Sequence, residues 1–326
     1  MLTNVFYRCI IFTGLTKETS AVKRLLDCNA SDFKNMTKQE LLASIAASEG
    51  RTIACETIGC VRPMLGDVTN AEFAAAMGAD ILLLNLFDVE NPSIEGLNAA
   101  PGDVIKELKR LTGRPVGINL EPVENSQSAS EETVWALTGG RRATLENAQK
   151  AADMGVSFIL LTGNPGIGVT NKAITDTLRL YREHFSDKLI LAAGKMHASA
   201  ILSEAAENII TKNDIDAFAE AGADIILLPA PGTVPGITME YIKELVSYAH
   251  SLNKLTITAI GTSQEGADAD TIKRIALMCK MTGTDIHHLG DSGYCGLAAP
   301  ENIFAYSTAV RGVRHTHHRM AASVNR

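Results

Sequence analysis

Along the chain, short runs of Leu, Ile, Val and Ala alternate with longer stretches in which apolar residues return every three or four positions. Runs such as "ILLLN" and "IILLPA" are apolar at nearly every position, the pattern of strands buried on both faces. Four of them follow a recurring glycine: "GADILLLN" at Gly78, "GVSFILLTG" at Gly155, "GADIILLPA" at Gly222 and "GTDIHHLGD" at Gly283. A helix commonly ends on a left-handed residue, where glycine avoids a Cβ clash, so each Gly marks the end of a helix and the approach of a strand. "LTGRPVGINLEP", with Gly113, fits the same plan. "RTIACETIG", "DKLILAAGKMH" and "NKLTITAIGTS" add three strands without the glycine. Eight strands are therefore predicted, starting near residues 52, 79, 114, 156, 189, 223, 254 and 285.

The stretches between them read as amphipathic helices. "NKAITDTLRLYREHF" puts Ile174, Leu178, Tyr181 and Phe185 on one face, and "ITMEYIKELVSYAHSL" does the same with Ile237, Tyr241, Leu245, Tyr248 and Leu252. Thr37 with Glu40, and Thr69 with Glu72, have the spacing of capping boxes. Eight β-then-α units predict a single (β/α)8 TIM barrel rather than a doubly wound sheet. The helix over residues 37–49 precedes the first strand and is expected to plug the bottom of the barrel. The domain plan is an N-terminal extension over 1–24, the barrel over 25–313 and a solvated C-terminal tail over 314–326.

Composition narrows the partners. With 30 Lys+Arg against 37 Asp+Glu the net charge is −7, which argues against a nucleic-acid binder. No run approaches the ~18 apolar residues of a membrane span. The six cysteines show no metal-like spacing, which fits a reducing cytoplasm. His315, His317 and His318 have ligand-like spacing but fall in the expected tail. Homo-oligomerisation is left open.

Barrels of this kind carry their chemistry at the C-terminal ends of the strands. The residues there are Glu56, Asn85 with Asp88, Asn119 with Glu121, Thr162, and Lys195 with His197. Two-residue alternation puts Asn119 and Glu121 on one face, and Lys195 and His197 on one face. Apolar strands have no reason to end in so many polar side chains unless something polar binds there. After strands seven and eight, "IGTSQEGA" and "LGDSGYCG" offer Gly261, Thr262, Ser263, Gly290, Ser292 and Gly293. Small residues at those two loops let backbone N–H groups approach a phosphate, although the same residues also make ordinary tight turns. Asp291 stands against an anion cup because its carboxylate would repel phosphate. Lys195 is a candidate acid–base or Schiff-base lysine. Asp88 and Glu121 are candidate Mg2+ ligands, with rim hydrogen bonding as the competing account. Two further loops are polar or glycine-rich. One runs from 123 to Arg141 and Arg142 and holds the single Trp, Trp135; the other holds Gly163, Gly166 and Gly168.

The segments "LLDCNASDFKNMTKQELLASIAASEGRTIACET", "DVTNAEFAAAMGADILLLNLFDV", "LLTGNPGIGVTN" and "HHLGDSGYCG" resemble a family of uncharacterised bacterial barrels. Its members carry the labels haloacid dehalogenase-like hydrolase or phosphoenolpyruvate phosphonomutase-like. The first label would bring an Asp-x-Asp-x-Thr nucleophile loop, to which Asp88-Val-Glu90-Asn91 is the nearest approach. The second would bring an Asp-x-Asp-x-Gly loop after the second strand, where Asn85-Leu-Phe-Asp88 stands. The expected function is a barrel enzyme acting on a small phosphorylated or carboxylated metabolite, by lyase, aldolase or isomerase chemistry beside a carbonyl. Lys195, Glu121, Glu56 and His197 would be its acid–base groups, and Asn85 and Asn119 would orient an oxyanion. A hydrolase and a non-catalytic metabolite-binding barrel are the alternatives.

Overall fold

A computed structural model describes residues 22–123, 137–163, 168–196 and 202–326. The expected extension over 1–24 therefore lies almost wholly outside the described residues, as do Trp135, Gly166 and His197. Eight strands close into one barrel in sequence order: β1 (Thr52–Ile58), β2 (Ile81–Asn85), β3 (Val116–Leu120), β4 (Phe158–Leu161), β5 (Ile190–Gly194), β6 (Ile225–Pro229), β7 (Leu255–Ile260) and β8 (Ile286–Leu289). Every neighbouring pair is parallel, and β8 returns to β1 through Thr52 opposite Ile286. Around them run α1 (Ala30–Asn35), α2 (Lys38–Ala46), α3 (Asn70–Ala76), α4 (Val104–Thr112), α5 (Leu145–Met154), α6 (Asn171–Phe185), α7 (Lys212–Ala221), α8 (Met239–Ser251), α9 (Ala269–Thr282) and α10 (Pro300–Ala321).

The recurring glycines do what the pattern predicts. Gly155, Gly222 and Gly283 end α5, α7 and α9 at φ of 91°, 113° and 88°, values that a Cβ-bearing residue adopts only with strain. At the other ends, Thr37 and Thr69 accept from the amides of Glu40 and Glu72, and both capping boxes are complete. Each such cap stabilises its helix by about 1 kcal/mol.

Strand alternation splits the core into two layers. Ile53, Leu82, Ile118, Ile159, Leu191 and Ile226 face the helices, while Ala54, Leu83, Leu160, Ala192, Leu227, Ala259 and Ile286 fill the lumen. Leu41 and Ile45 of α2, with Leu25, pack against the lumen set, so α2 plugs the bottom as predicted.

The C-terminal segment departs from the sequence reading. Residues 314–326 are not a solvated tail: α10 continues to Ala321, bending at Gly312, where φ is 75°. Arg311 and Arg319 lie buried and both reach Asp80, itself fully buried at the start of β2. Of the three histidines His315 is buried, while His317 and His318 are exposed on α10 as expected. The basic residues looked like tail because their single acidic partner lies more than two hundred residues away. Among the described residues no helix is long and apolar enough to cross a membrane.

Candidate active site at the barrel mouth

The lumen-facing position at the C-terminal end of β1 is Glu56, that of β2 is Asn85 and that of β3 is Asn119. They meet. The Asn119 amide Nδ2 donates to Glu56 Oε1 and to Asn85 Oδ1, both at 3.1 Å. Asn85 Nδ2 in turn donates to Asp291 Oδ2 at 2.8 Å, which carries the chain of contacts across to the loop after β8. His288, the lumen-facing residue near the end of β8, brings Nε2 to 2.9 Å from Glu56 Oε2. That approach is off the line of a hydrogen bond, so both ring nitrogens, like Asn119 Oδ1, are buried polar atoms without a hydrogen-bond partner. Buried polar atoms are rarely left so, and unpartnered ones at the C-terminal strand ends of a barrel are candidates for contact with a ligand's polar groups.

Asp291 is the most perturbed acid here. Burial, and then the nearby charge of Glu56, raise its pKa to about 7, against the opposing hydrogen bond from Asn85. A second buried acid, Glu265, lies 2% exposed behind the same loop and is also shifted upward, chiefly by burial. Its Oε1 accepts from the Ser292 amide at 2.8 Å, and its Oε2 has no partner.

In the loops expected to form a phosphate cup, several donors are engaged by the protein itself. The Ser292 amide is taken by Glu265, the Gly293 amide by Asp291 Oδ1 at 2.8 Å and the Gly290 amide by the Ile260 carbonyl. Thr262 directs its hydroxyl to the Thr233 and Gly261 carbonyls. Thr262, Ser263, Ser292 and Gly293 all have φ near +60°, the strained conformation of tight turns. Two carboxylates thus accept amides of the loop after β8, while Ser292 Oγ is a buried polar atom without a partner.

The remaining sequence candidates separate. Glu121, beyond β3 at lumen parity, pairs with buried Arg141 at 2.5 Å and is shifted upward by burial, with Arg141 opposing the shift. Asp88 Oδ1 accepts the amides of Glu90 and Asn91 at 2.8 and 3.1 Å, and a Cβ on Gly140 would come within 1.8 Å of it. Asp88 thus shapes a turn packed on Gly140, and Glu121 answers an arginine. Both carboxylates are engaged by the protein's own groups, and among the described residues no group of three His, Cys, Asp or Glu is placed to hold a metal. Lys195 is 3% exposed just beyond β5, where Ala192 and Met196 belong to the lumen layer and Ala193 to the helix-facing layer. Lys195 follows the last strand residue, Gly194, so it stands at the rim of the barrel mouth. Sequence reasoning missed His288 and Glu265. The signal for His288 was present in "DIHHLGD": of its two histidines one must face the lumen. His287, facing out, bonds the Tyr306 hydroxyl and the Gly50 carbonyl at 3.0 Å, and burial drives its pKa down to about 4.

A family profile described as "Domain of unknown function (DUF7916)" matches residues 26–326, and the chain belongs to that family. No curated protein matches the chain. Among solved structures it is similar to an archaeal fructose 1,6-bisphosphate aldolase, at 15% identity and a TM-score of 0.53, covering 84% of this chain and 98% of that one. It is also similar, at 12% identity and a TM-score of 0.47 in each case, to two further proteins. One is 2,3-dimethylmalate lyase, a member of the PEP mutase/isocitrate lyase superfamily, covering 78% of this chain and 81% of that one. The other is thiamine phosphate pyrophosphorylase from Pyrococcus furiosus, covering 81% and 97%. At such identities the likeness shows the fold alone. A closed barrel is incompatible with the doubly wound core that the haloacid dehalogenase label would bring, and that label is set aside.

Proposed function

We propose that this barrel is an enzyme that moves a proton beside the carbonyl of a small metabolite, as a lyase or isomerase, with Asp291 as the acid–base group. The observation that carries this reading is the line Glu56–Asn119–Asn85–Asp291, gathered from four different strand ends, with His288 against Glu56. A carboxyl with a pKa of about 7 is divided between its two forms at neutral pH, so it can accept a proton and return it. In the forward step the Asp291 carboxylate takes the proton from the carbon beside the carbonyl. The C–H electron pair forms a carbon–carbon double bond while the carbonyl π pair moves to oxygen, and an N–H of His288, otherwise without an acceptor, donates to the enolate. Where the deprotonated carbon bears a hydroxyl, the hydroxyl proton passes to the first oxygen and return of the carbon-bound proton to the former carbonyl carbon completes an isomerisation; in a lyase, the enolate is instead what carbon–carbon cleavage leaves behind. Asn85 and Asn119 hold Asp291 and Glu56 in register. The acidic layer favours a substrate whose reacting end is uncharged, with any carboxylate directed toward Arg141 at the β3 rim.

Proton transfer leaves an isotopic trace even before the natural substrate is identified. Incubation in D2O with 2-oxo acids, hydroxyketones and ketoses should show protein-dependent deuterium uptake beside the carbonyl of at least one of them, read by proton NMR. The uptake should fall at least a hundredfold in Asp291→Asn, on the scale of lost general-base catalysis. Uptake that is unchanged in Asp291→Asn, or absent across the panel, contradicts the reading.

A further inference from the structure

The opposite end of the barrel holds a groove of about 580 Å³ among α1, α4, the start of β3 and the chain's last residues. Its lining is unlike the rest of this acidic protein: Lys34, Lys106, Lys109, Arg110, Arg114 and Arg326 contribute, and no Asp or Glu side chain does. Lys106 and Arg110 have exposed partners one turn away, Asp103 at 3.2 Å and Glu107 at 2.7 Å, pairs worth well under about 1 kcal/mol each. Lys34, Lys109 and Arg114 have no carboxylate within ion-pair distance among the described residues.

Two of those three are hard to account for without an anion. Arg114 is 5% exposed, and its guanidinium donates only to the Ala79, Gly113 and Arg319 carbonyls. Beside it, Arg311 and Arg319 share the one carboxylate of Asp80, so three buried guanidiniums face a single negative charge. The Arg319 guanidinium also stacks 5.6 Å from the ring of Phe33, which lines the groove. Lys109 donates only to neutral oxygens, the Gly155 carbonyl at 2.6 Å and Ser157 Oγ at 2.9 Å, and burial lowers its pKa to about 8. Ser157 Oγ, accepting from Lys109, still has its own proton to give. Uncompensated buried charge is costly, and the groove is where compensation could enter.

We propose that this groove is a second ligand site, distinct from the barrel mouth, that binds a compact anion bearing two linked phosphates. Three unpaired cations in one cleft match the charge of a diphosphate better than that of a single phosphate or carboxylate. The flexible rim residues Lys34 and Lys106 close over it, while Lys109 and Arg114 hold it from below.

Inorganic pyrophosphate serves as the probe, by isothermal titration and thermal unfolding of the full chain, with sulfate at equal ionic strength as comparator. Pyrophosphate should bind and raise the unfolding midpoint where sulfate does not. The exposed double variant Lys34→Glu/Lys106→Glu should weaken binding at least tenfold with an unchanged midpoint in the absence of ligand. Asp291→Asn should leave binding unchanged. Equal effects of sulfate and pyrophosphate would mean an adventitious ion only, and would overturn the proposal. So would absence of binding, or binding lost in Asp291→Asn and kept in the double variant.

Discussion

Replacing Asp291 with Asn should make the protein more stable, and increasingly so as pH rises. In the unfolded chain this carboxyl titrates near 3.8, whereas in the fold burial and Glu56 raise it to about 7. Between those values the folded state binds more protons than the unfolded one, so stability falls with rising pH across the window and is level above it. From pH 5 to pH 7 the full effect is two units at 1.36 kcal/mol each, roughly 2.7 kcal/mol. Asp291 is only partly buried, and solvent screening reduces this to about 2 kcal/mol. Asn at 291 carries no charge at any pH and reproduces the shape of the neutral acid. The gap between variant and wild type should therefore widen by ~2 kcal/mol from pH 5 to pH 8, or roughly 4 °C in midpoint for a chain of this size. The assay is thermal unfolding of both proteins in matched buffers from pH 4.5 to 8.5. A constant gap across that range would refute the reasoning, because Asp291 would then titrate alike folded and unfolded. The expected gain in stability with loss of activity is a trade common at functional acids.

Three other expectations test neighbouring parts of the account. Asp80→Asn removes the carboxylate on which Arg311 and Arg319 converge, and should cost about 3–5 kcal/mol in denaturant unfolding. Gly194→Ala places a Cβ 2.1 Å from the Leu227 carbonyl oxygen at the end of β5, and should lower the unfolding midpoint by several degrees, whereas Gly168→Ala meets no neighbour within 4 Å among the described residues and should cost less, through backbone strain at its positive φ. Glu121→Gln removes the charge facing Arg141; it should weaken that rim without changing the pH dependence that belongs to Asp291, as seen by the same thermal scans.

The barrel was legible because its signals are local and repeated. A glycine at a helix end, an apolar run of strand length and a capping box each report on a few residues, and eight strands were located to within two residues of their observed starts. Glu56, Asn85 and Asn119 were legible for a related reason: a polar residue at the end of an apolar strand stands out, and in β1 to β3 parity puts it in the lumen. β5 is Ile, Leu, Ala, Ala, Gly, with no polar face to tell inside from outside, so the residues alone place Lys195 at a strand end and assign it no direction. Glu265 stayed hidden because it sits in a loop and acquires its role from Ser292, a neighbour in space only. Asp80 with Arg311 and Arg319 stayed hidden for the same reason, over a far longer separation.

The most direct test of the account is the titration of the aspartate side-chain carboxyls by carbon NMR in the intact protein, with Asp291→Asn to assign the signal. The account predicts that Asp291 titrates near pH 7, well above the other aspartates, and moves downward in Glu56→Gln as that neighbouring charge is removed. If the Asp291 signal instead titrates with the rest near pH 4, and is indifferent to Glu56→Gln, the mouth of this barrel holds no proton-transfer group of the kind proposed.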